Sequence, residues 1–313
     1  MPKDFISFLD WSADDLGDLV EAAQIFRQLW VRGRSPSALK GRRIAMMWGA
    51  TGFRNRAAFE LSIAELGGKS FEILGTINAN EPLEDVARYL ENWFDAIVAR
   101  TIAHDQMLRL ARSVQIPVIN ARTPFNHPCE ILGDLAYIRE QRGDLADLRV
   151  AFVGEATNLG HSWFEAAARF PIHVVQVCPA GYEVEAQFLE GIARDAEGEV
   201  SVSQDMHSAL ANADVIYTDC WPTAGTDEDQ QKIRDLFLPY QVTEEILRTC
   251  SQDTLFLPCP PVHRGEEVSD GAMNWPGCRV FDAKEYLLHA QSALLVSLLN
   301  SSVGGIQEWL RRG

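Results

Sequence analysis

Arg54 and Arg56, separated by one polar residue, lie in "GATGFRNRAAFE" (49–60), between an apolar run and a segment of helical period. Cations placed there are set to hold an anion, because the chain around them is acidic: 28 Lys and Arg against 44 Asp and Glu give a formal charge of -16. A field of that sign repels nucleic acid and anionic membranes, so an anionic ligand needs a local cationic pocket. A helix start adds free N–H groups that favour an anion at the same place. The other polar clusters with chemical potential are "ARTIAH", "NHPCE", "GEATN", "TDCW" and "CPPVHRGEE".

The elements that must position these clusters follow from periodicity. Short apolar runs alternate with segments of helical period, the pattern of an α/β fold. Strands are expected at 43–49, 70–74, 95–100 and 116–120, and a second series at 148–154, 172–178, 213–218 and 254–258. Runs this apolar suit parallel strands covered on both faces. "PLEDVARYLENWF" predicts a helix whose Pro82 and early acids fit its first turn. Each polar cluster falls just after a strand, where open parallel sheets gather ligands. The polar stretch "REQRGDLADL" separates the series, so the expected domains are 1–140 and 141–283, with a closing helix over 284–313 returning to the first.

Composition narrows the class further. A chain of 313 residues that is 47% hydrophobic can fill the cores of two domains. Its cysteines, at 129, 178, 220, 250, 259 and 278, form no C-x-x-C motif and no paired Cys/His spacing of the zinc-finger kind. That spacing argues against structural zinc, metal catalysis or a disulfide scaffold and fits a reduced cytoplasmic interior. No secretory leader or membrane-spanning run is visible. "GEATNLG" is not G-x-G-x-x-G and "GATGFRNR" lacks a Gly-Lys-Ser/Thr ending, so nicotinamide and P-loop chemistry are set aside and no cofactor is expected.

The chain resembles the aspartate/ornithine carbamoyltransferase family over nearly its whole length, the ornithine branch more closely. "FRNRAAFELSIAELGG" is similar to the carbamoyl-phosphate motif Ser-Thr-Arg-Thr-Arg with its Ser-Phe-Glu and Leu-Gly-Gly, and "NHPCEILGDL" to the His-Pro-x-Gln motif. "VAFVGEATNLGHS", "ADVIYTDCW", "PCPPVHRGEEV" and "LHAQSALLVSLL" resemble the segments that follow, in the same order. The resemblance implies two domains, each with a central, mainly parallel sheet flanked by helices, in the unknotted form. It also implies a homotrimer that moves a carbamoyl group from carbamoyl phosphate, or a similar anionic donor, to the amino group of ornithine or a related small amino acid or amine.

Residue by residue, the resemblance assigns Gly52, Phe53, Arg54, Asn55, Arg56 and Glu130 to the donor. The planar fork of Arg54 suits a phosphate oxygen pair, whereas Arg56 fits an ion pair equally well. Arg100 and His127 match residues that touch the carbamoyl oxygen, although a histidine before proline is also an ordinary loop residue. Asn158 and Asp219 match residues that bind the acceptor's amino-acid backbone, with a helix N-cap and a turn residue as their plainer readings. Thr223 and Ala224 fall at the acceptor's side-chain end. Cys259 and Arg264 match the catalytic-loop cysteine and arginine; a buried, inert thiol is the alternative for Cys259.

The departures from the family pattern cluster at the donor. Gly52, Phe53 and Asn55 replace three hydroxyl residues, and Glu130 replaces glutamine, which places an acid near a phosphate unless it is paired or protonated. Two alternatives to carbamoyl transfer therefore stand beside it: a related transferase with another donor, and a catalytically silent paralogue that binds a small ligand.

Overall fold

The computed structural model describes residues 2–48, 52–73, 81–100 and 103–300. Gly49–Thr51, the larger part of "GTINANEP", Thr101 and Ile102 of "ARTIAH", and 301–313 of the closing segment lie outside the described residues. The chain divides into two compact units, one formed by Met1–Asp144 with the segment that begins at Lys284, the other by Leu145–Ala283.

The first unit carries strands β1 (Arg43–Met47), β2 (Lys69–Ile73), β3 (Ala96–Arg100) and β4 (Val118–Arg122). All pair in parallel, in the order β2-β1-β3-β4. One face of the sheet, with Ala45, Met47, Ile97, Ala99 and Val118, packs on Leu83, Leu90, Met107 and Leu110 of the covering helices. Ile44, Met46 and Val98 are also fully buried, so the central strands are apolar on both faces and read in sequence as continuous runs. The helix Leu83–Trp93 begins after Pro82, with Glu84 and Asp85 in its first turn.

The helix Pro128–Arg142 is buried over all of its first eleven residues. Against it lies the closing helix Val280–Leu299. The two approach closely at Gly133, where an added Cβ would come within 3.3 Å of the Leu287 backbone. Ser62 of the helix Phe53–Glu65 ties in the same element, donating to the Leu288 carbonyl at 2.8 Å.

The second unit carries β5 (Leu148–Val153), β6 (Ile172–Val177), β7 (Glu199–Ser203), β8 (Val215–Thr218) and β9 (Leu255–Pro258), parallel throughout, in the order β7-β6-β5-β8-β9. Ala151, Val153, Ile216 and Phe256 meet Met206, Leu210, Ile246 and Leu247 in its core. Strand β7 was not among the expected strands. It lies at the sheet edge with most of "EVSVS" exposed, so its residues carry no apolar run. Pairing with β6, not composition, makes it a strand.

Candidate active site

Strand order creates one switch point per sheet. In the first unit the chain moves outward from β1 to β2 and returns to β3 on the other side of β1. In the second it moves from β5 through β6 to β7 and returns to β8 beside β5. Ligands of open parallel sheets bind beyond the carboxyl ends of the strands at such points. Gly52 follows β1 and Arg100 ends β3, and Asn158 and Asp219 follow β5 and β8, at these points; His127 and Glu130 follow β4, and Cys259 and Arg264 follow β9.

Gly52 caps the helix Phe53–Glu65 in the left-handed region, at φ 83°. A Cβ built on it would collide with the guanidinium of Arg100. The backbone angle therefore calls for glycine where the family motif has a hydroxyl residue, and a side chain there would displace the Arg100 guanidinium. Arg100 ends β3 at a register shift against β4, an irregularity that re-aims the side chain. Its guanidinium lies over the Trp48 ring, 5.8 Å from the centroid. Its Nη1 is 3.0 Å from His127 Nε2.

His127 is held by a buried polar net. Asn120 Nδ2 donates to Asn126 Oδ1 at 2.6 Å and to the Ile6 carbonyl at 2.9 Å, and the Asn126 backbone N–H donates to Thr123 Oγ1 at 3.2 Å. These bonds fix the turn that delivers His127 to the start of the helix Pro128–Arg142. Burial pushes the imidazole down to about 3; Glu130 opposes this, while Arg100, Arg122 and Lys284 reinforce it. The ring is thus neutral at physiological pH. Arginine has no acceptor, so Nε2 must accept from Arg100 and the proton resides on Nδ1. The 3.5 Å approach of Glu130 Oε2 to Nε2 is then a contact with a neutral ring and not an ion pair.

Glu130 is buried, as expected of neither a surface acid nor a phosphate ligand. Its Oε1 lies 2.8 Å from Lys284 Nζ, which also donates to both Asp134 carboxylate oxygens at 2.9 and 2.8 Å. Burial alone would raise the Glu130 carboxyl; Lys284 and Arg100 instead hold it below the usual carboxylate range. Asn55, also buried, brings Nδ2 to 3.5 Å from Glu130 Oε2, and its Oδ1 has no hydrogen-bond partner among the described residues. With Arg100 and Lys284 facing Glu130 and Asp134, the formal charges cancel, and the added acid does not leave a net negative charge at the donor.

Lys284 was missed by sequence reasoning. A signal existed: in "FDAKEYLLHAQ" it shares a helical face with Leu287 and Leu288, and a charge on an apolar stripe needs a buried partner. Which partner could not be read from spacing.

The structure does not bring the remaining donor candidates into this cluster. Phe53 is 70% exposed, and the Arg54 guanidinium stacks 4.7 Å from its ring centroid. Arg56 gives Nη1 and Nη2 to Glu72 at 2.7 and 2.9 Å and Nε to Glu60 at 3.0 Å. Its fork is occupied by carboxylates.

In the second unit, Gly154 closes β5 with a φ of 133°. Thr157, not Asn158, is the N-cap of the helix Asn158–Ala167, so the buried Asn158 is its first residue. Asp219 follows β8 and Cys259 follows β9; the two strands pair at Thr218 and Pro258, and the Cys259 N–H donates to the Thr218 carbonyl at 2.8 Å. Asp219 Oδ1 accepts from the Cys220 N–H at 2.9 Å. Burial and the charge of Asp219 raise Glu155 above the usual carboxylate range, which places a second acid in the neighbourhood that sequence reasoning did not single out. Two such carboxylates suit an ammonium. Thr223 is exposed, and the Ala224 N–H is bonded to Gln230 Oε1 at 2.8 Å. Arg264 donates to Asp270 Oδ1 at 3.3 Å, on a half-exposed side chain.

Family models match both units: the carbamoyl-P binding domain of aspartate/ornithine carbamoyltransferase over residues 3–140, and the Asp/Orn binding domain over 146–298. The ornithine carbamoyltransferase of Anoxybacillus flavithermus is 36% identical, covering 95% of this chain and 96% of its own. That of Syntrophus aciditrophicus is 33% identical over 96% of this chain and all of its own. Among solved structures, ornithine carbamoyltransferase from Pyrococcus furiosus matches with a TM-score of 0.88 at 32% identity, over 93% of this chain and 95% of that one. Fold and comparisons together define a two-domain α/β enzyme, a transferase. The chain belongs to the aspartate/ornithine carbamoyltransferase family.

Proposed function

We propose that the protein transfers the carbamoyl group of carbamoyl phosphate to the amino group of ornithine or a closely related small amino acid, as a cytoplasmic homotrimer. The observation that carries this reading is the Arg100–His127 pair, 3.0 Å apart at neighbouring strand ends, with Gly52 beneath the guanidinium. Six free cysteines support a reducing compartment, and the trimer rests on family resemblance. No described helix is long and apolar enough to cross a membrane.

The amine nitrogen attacks the carbamoyl carbon, the carbon–oxygen bond to phosphate breaks, phosphate leaves with the electron pair, and the amine gives up a proton. Arg100, oriented by neutral His127, donates to the carbonyl oxygen as negative charge develops there; one such donor contributes about 3 kcal/mol. Glu130, fixed as a carboxylate by Lys284, and Asn55 Oδ1 accept from the carbamoyl NH2. The Gly52 N–H, the helix start and Arg54 hold the phosphate, with Phe53 supporting the Arg54 guanidinium. Arg56 braces the helix start through Glu72. Asp219 and Asn158 hold the acceptor's amino-acid end, Thr223 and Ala224 face its side chain, and Cys259 and Arg264 complete the loop beside the amine.

Incubation with carbamoyl phosphate and ornithine, alongside a panel of other amines, tests this through paired measurement of phosphate and ureido product. Equal yields of the two are expected. No turnover with any acceptor, together with no binding of a bisubstrate phosphonate, would overturn it. The outward stacking of Arg54 on an exposed Phe53 favours one second reading, a transferase of the same family with a different carbamoyl or acyl donor; a donor panel in the same assay separates the two.

A further inference from the structure

Cys220 stands far in sequence from His263 and Glu267, which is why cysteine spacing gave no sign of a metal site. The fold brings them together. Cys220 lies two residues beyond β8, and His263 and Glu267 lie in the loop beyond β9, the strand paired beside it. One ligand atom from each, a thiol sulfur, an imidazole nitrogen and a carboxylate oxygen, lies within 4.8 Å of the others.

The loop that holds two of them is pre-built. The His263 N–H donates to Glu267 Oε1 at 2.6 Å, the Glu266 N–H donates to the His263 carbonyl at 3.0 Å, and the Gly265 N–H to the Val268 carbonyl at 2.8 Å. The Val242 N–H pins the Glu267 carbonyl at 2.9 Å. Cys220 Sγ reaches the same loop, 3.1 Å from the Pro261 carbonyl. Glu267 is only 2% exposed, yet its second oxygen, Oε2, has no hydrogen-bond partner among the described residues. An unmet buried acceptor costs roughly 1–3 kcal/mol. The basic groups nearby are otherwise engaged: Arg234 bonds Glu266 and Arg264 bonds Asp270. A buried carboxylate with one oxygen lacking a donor, within reach of a thiol and an imidazole, is a place for a cation.

We propose that Cys220, His263 and Glu267 form a binding site for a divalent transition metal of zinc-like preference, with a fourth position left to water. Sulfur, nitrogen and oxygen ligands in this number match zinc's tetrahedral sites, in which ligand atoms sit roughly 3.3–3.8 Å apart, so the three side chains need only close inward by about an ångström. Harder cations that take oxygen ligands alone do not suit a thiolate. The bound ion would cross-link the loops after β8 and β9, which also carry Asp219, Cys259 and Arg264. The proposal does not rest on the transferase reading, since it is tested without substrate.

The test uses the full chain, freed of metal by chelator and dialysis. Zinc binding is measured by competition with a chromophoric chelator, and cobalt serves as a spectroscopic substitute. The expected result is one equivalent bound, with a sulfur-to-cobalt charge-transfer band in the near ultraviolet. Cys220→Ser abolishes that band and weakens binding by more than about 100-fold, beyond the roughly 10–100-fold that changes outside the ligand set produce. Cys250→Ser changes neither. Zinc also shields Cys220 from thiol alkylation in the unaltered protein, read by peptide mass, so the outcome stands even if Cys220→Ser fails to fold. No saturable zinc binding, binding unaltered by Cys220→Ser, or a cobalt spectrum without the sulfur band would each overturn the proposal.

Discussion

Lys284 Nζ lies 2.8 Å from Glu130 Oε1, and each side chain is 9% exposed. The same ammonium is shared with Asp134, whose side chain is 1% exposed. Removing one partner of a buried pair costs about 3–5 kcal/mol, because the remaining charge stays in a poor solvent. Lys284→Met takes the ammonium from two buried carboxylates at once, whereas Glu130→Gln leaves Lys284 paired with Asp134. Denaturant unfolding should therefore show Lys284→Met losing several kcal/mol and Glu130→Gln about 1 kcal/mol. The double variant should be more stable than Lys284→Met alone. Equal losses for the two single variants would remove the ion pair from the account.

Arg100→Lys keeps a positive charge but loses the fork that reaches both His127 and a carbonyl oxygen. Its kcat should fall by about 100- to 1,000-fold with the melting temperature nearly unchanged. Steady-state kinetics beside calorimetry check both halves.

Gly52→Ser restores the hydroxyl of the family motif, yet its Cβ would drive into the Arg100 guanidinium and its backbone angle is the left-handed one. The substitution should lower activity by at least about tenfold, the cost of a strained backbone combined with a displaced donor. A gain in activity would mean that Arg100 moves aside at no cost.

The pH dependence of stability carries the signature of His127. Its folded value, about 3, lies below the ordinary histidine value of 6.5. The unfolded chain therefore binds the proton first. This contribution is complete above pH 6.5 and is lost progressively as pH falls toward 3. Between pH 6.5 and 5 it amounts to roughly 2 kcal/mol. Unfolding titrations of His127→Gln should lack that slope. Glu130, held low, acts in the same direction at more acidic pH.

Asp219→Asn should raise KM for the acceptor by more than about tenfold while leaving KM for carbamoyl phosphate within about twofold, since the lost contact is a charge-assisted hydrogen bond to an ammonium. A change confined to the donor would place Asp219 elsewhere in the reaction.

Much of this protein is determined by the sequence alone, because the signals concerned are local. Apolar runs mark the strands whose two faces are covered, and polar residues just after them mark strand ends, so Gly52, Arg100, Asp219 and Cys259 could be placed at strand ends without coordinates. Strand β7 escaped because an exposed edge strand carries no apolar run; only the neighbouring β6 makes it a strand. The tertiary structure also decided which charges meet. Glu130 looks like an acid misplaced beside a phosphate until the closing helix brings Lys284 to it. Arg56 looks like a second anion ligand until Glu72 takes its fork. Cys220 shares no short spacing with His263 and Glu267 and meets them only because β8 and β9 are neighbours. Periodicity is set within one element by the geometry of helix and strand, but pairing between elements depends on how their faces pack, and that is settled only when the whole chain folds.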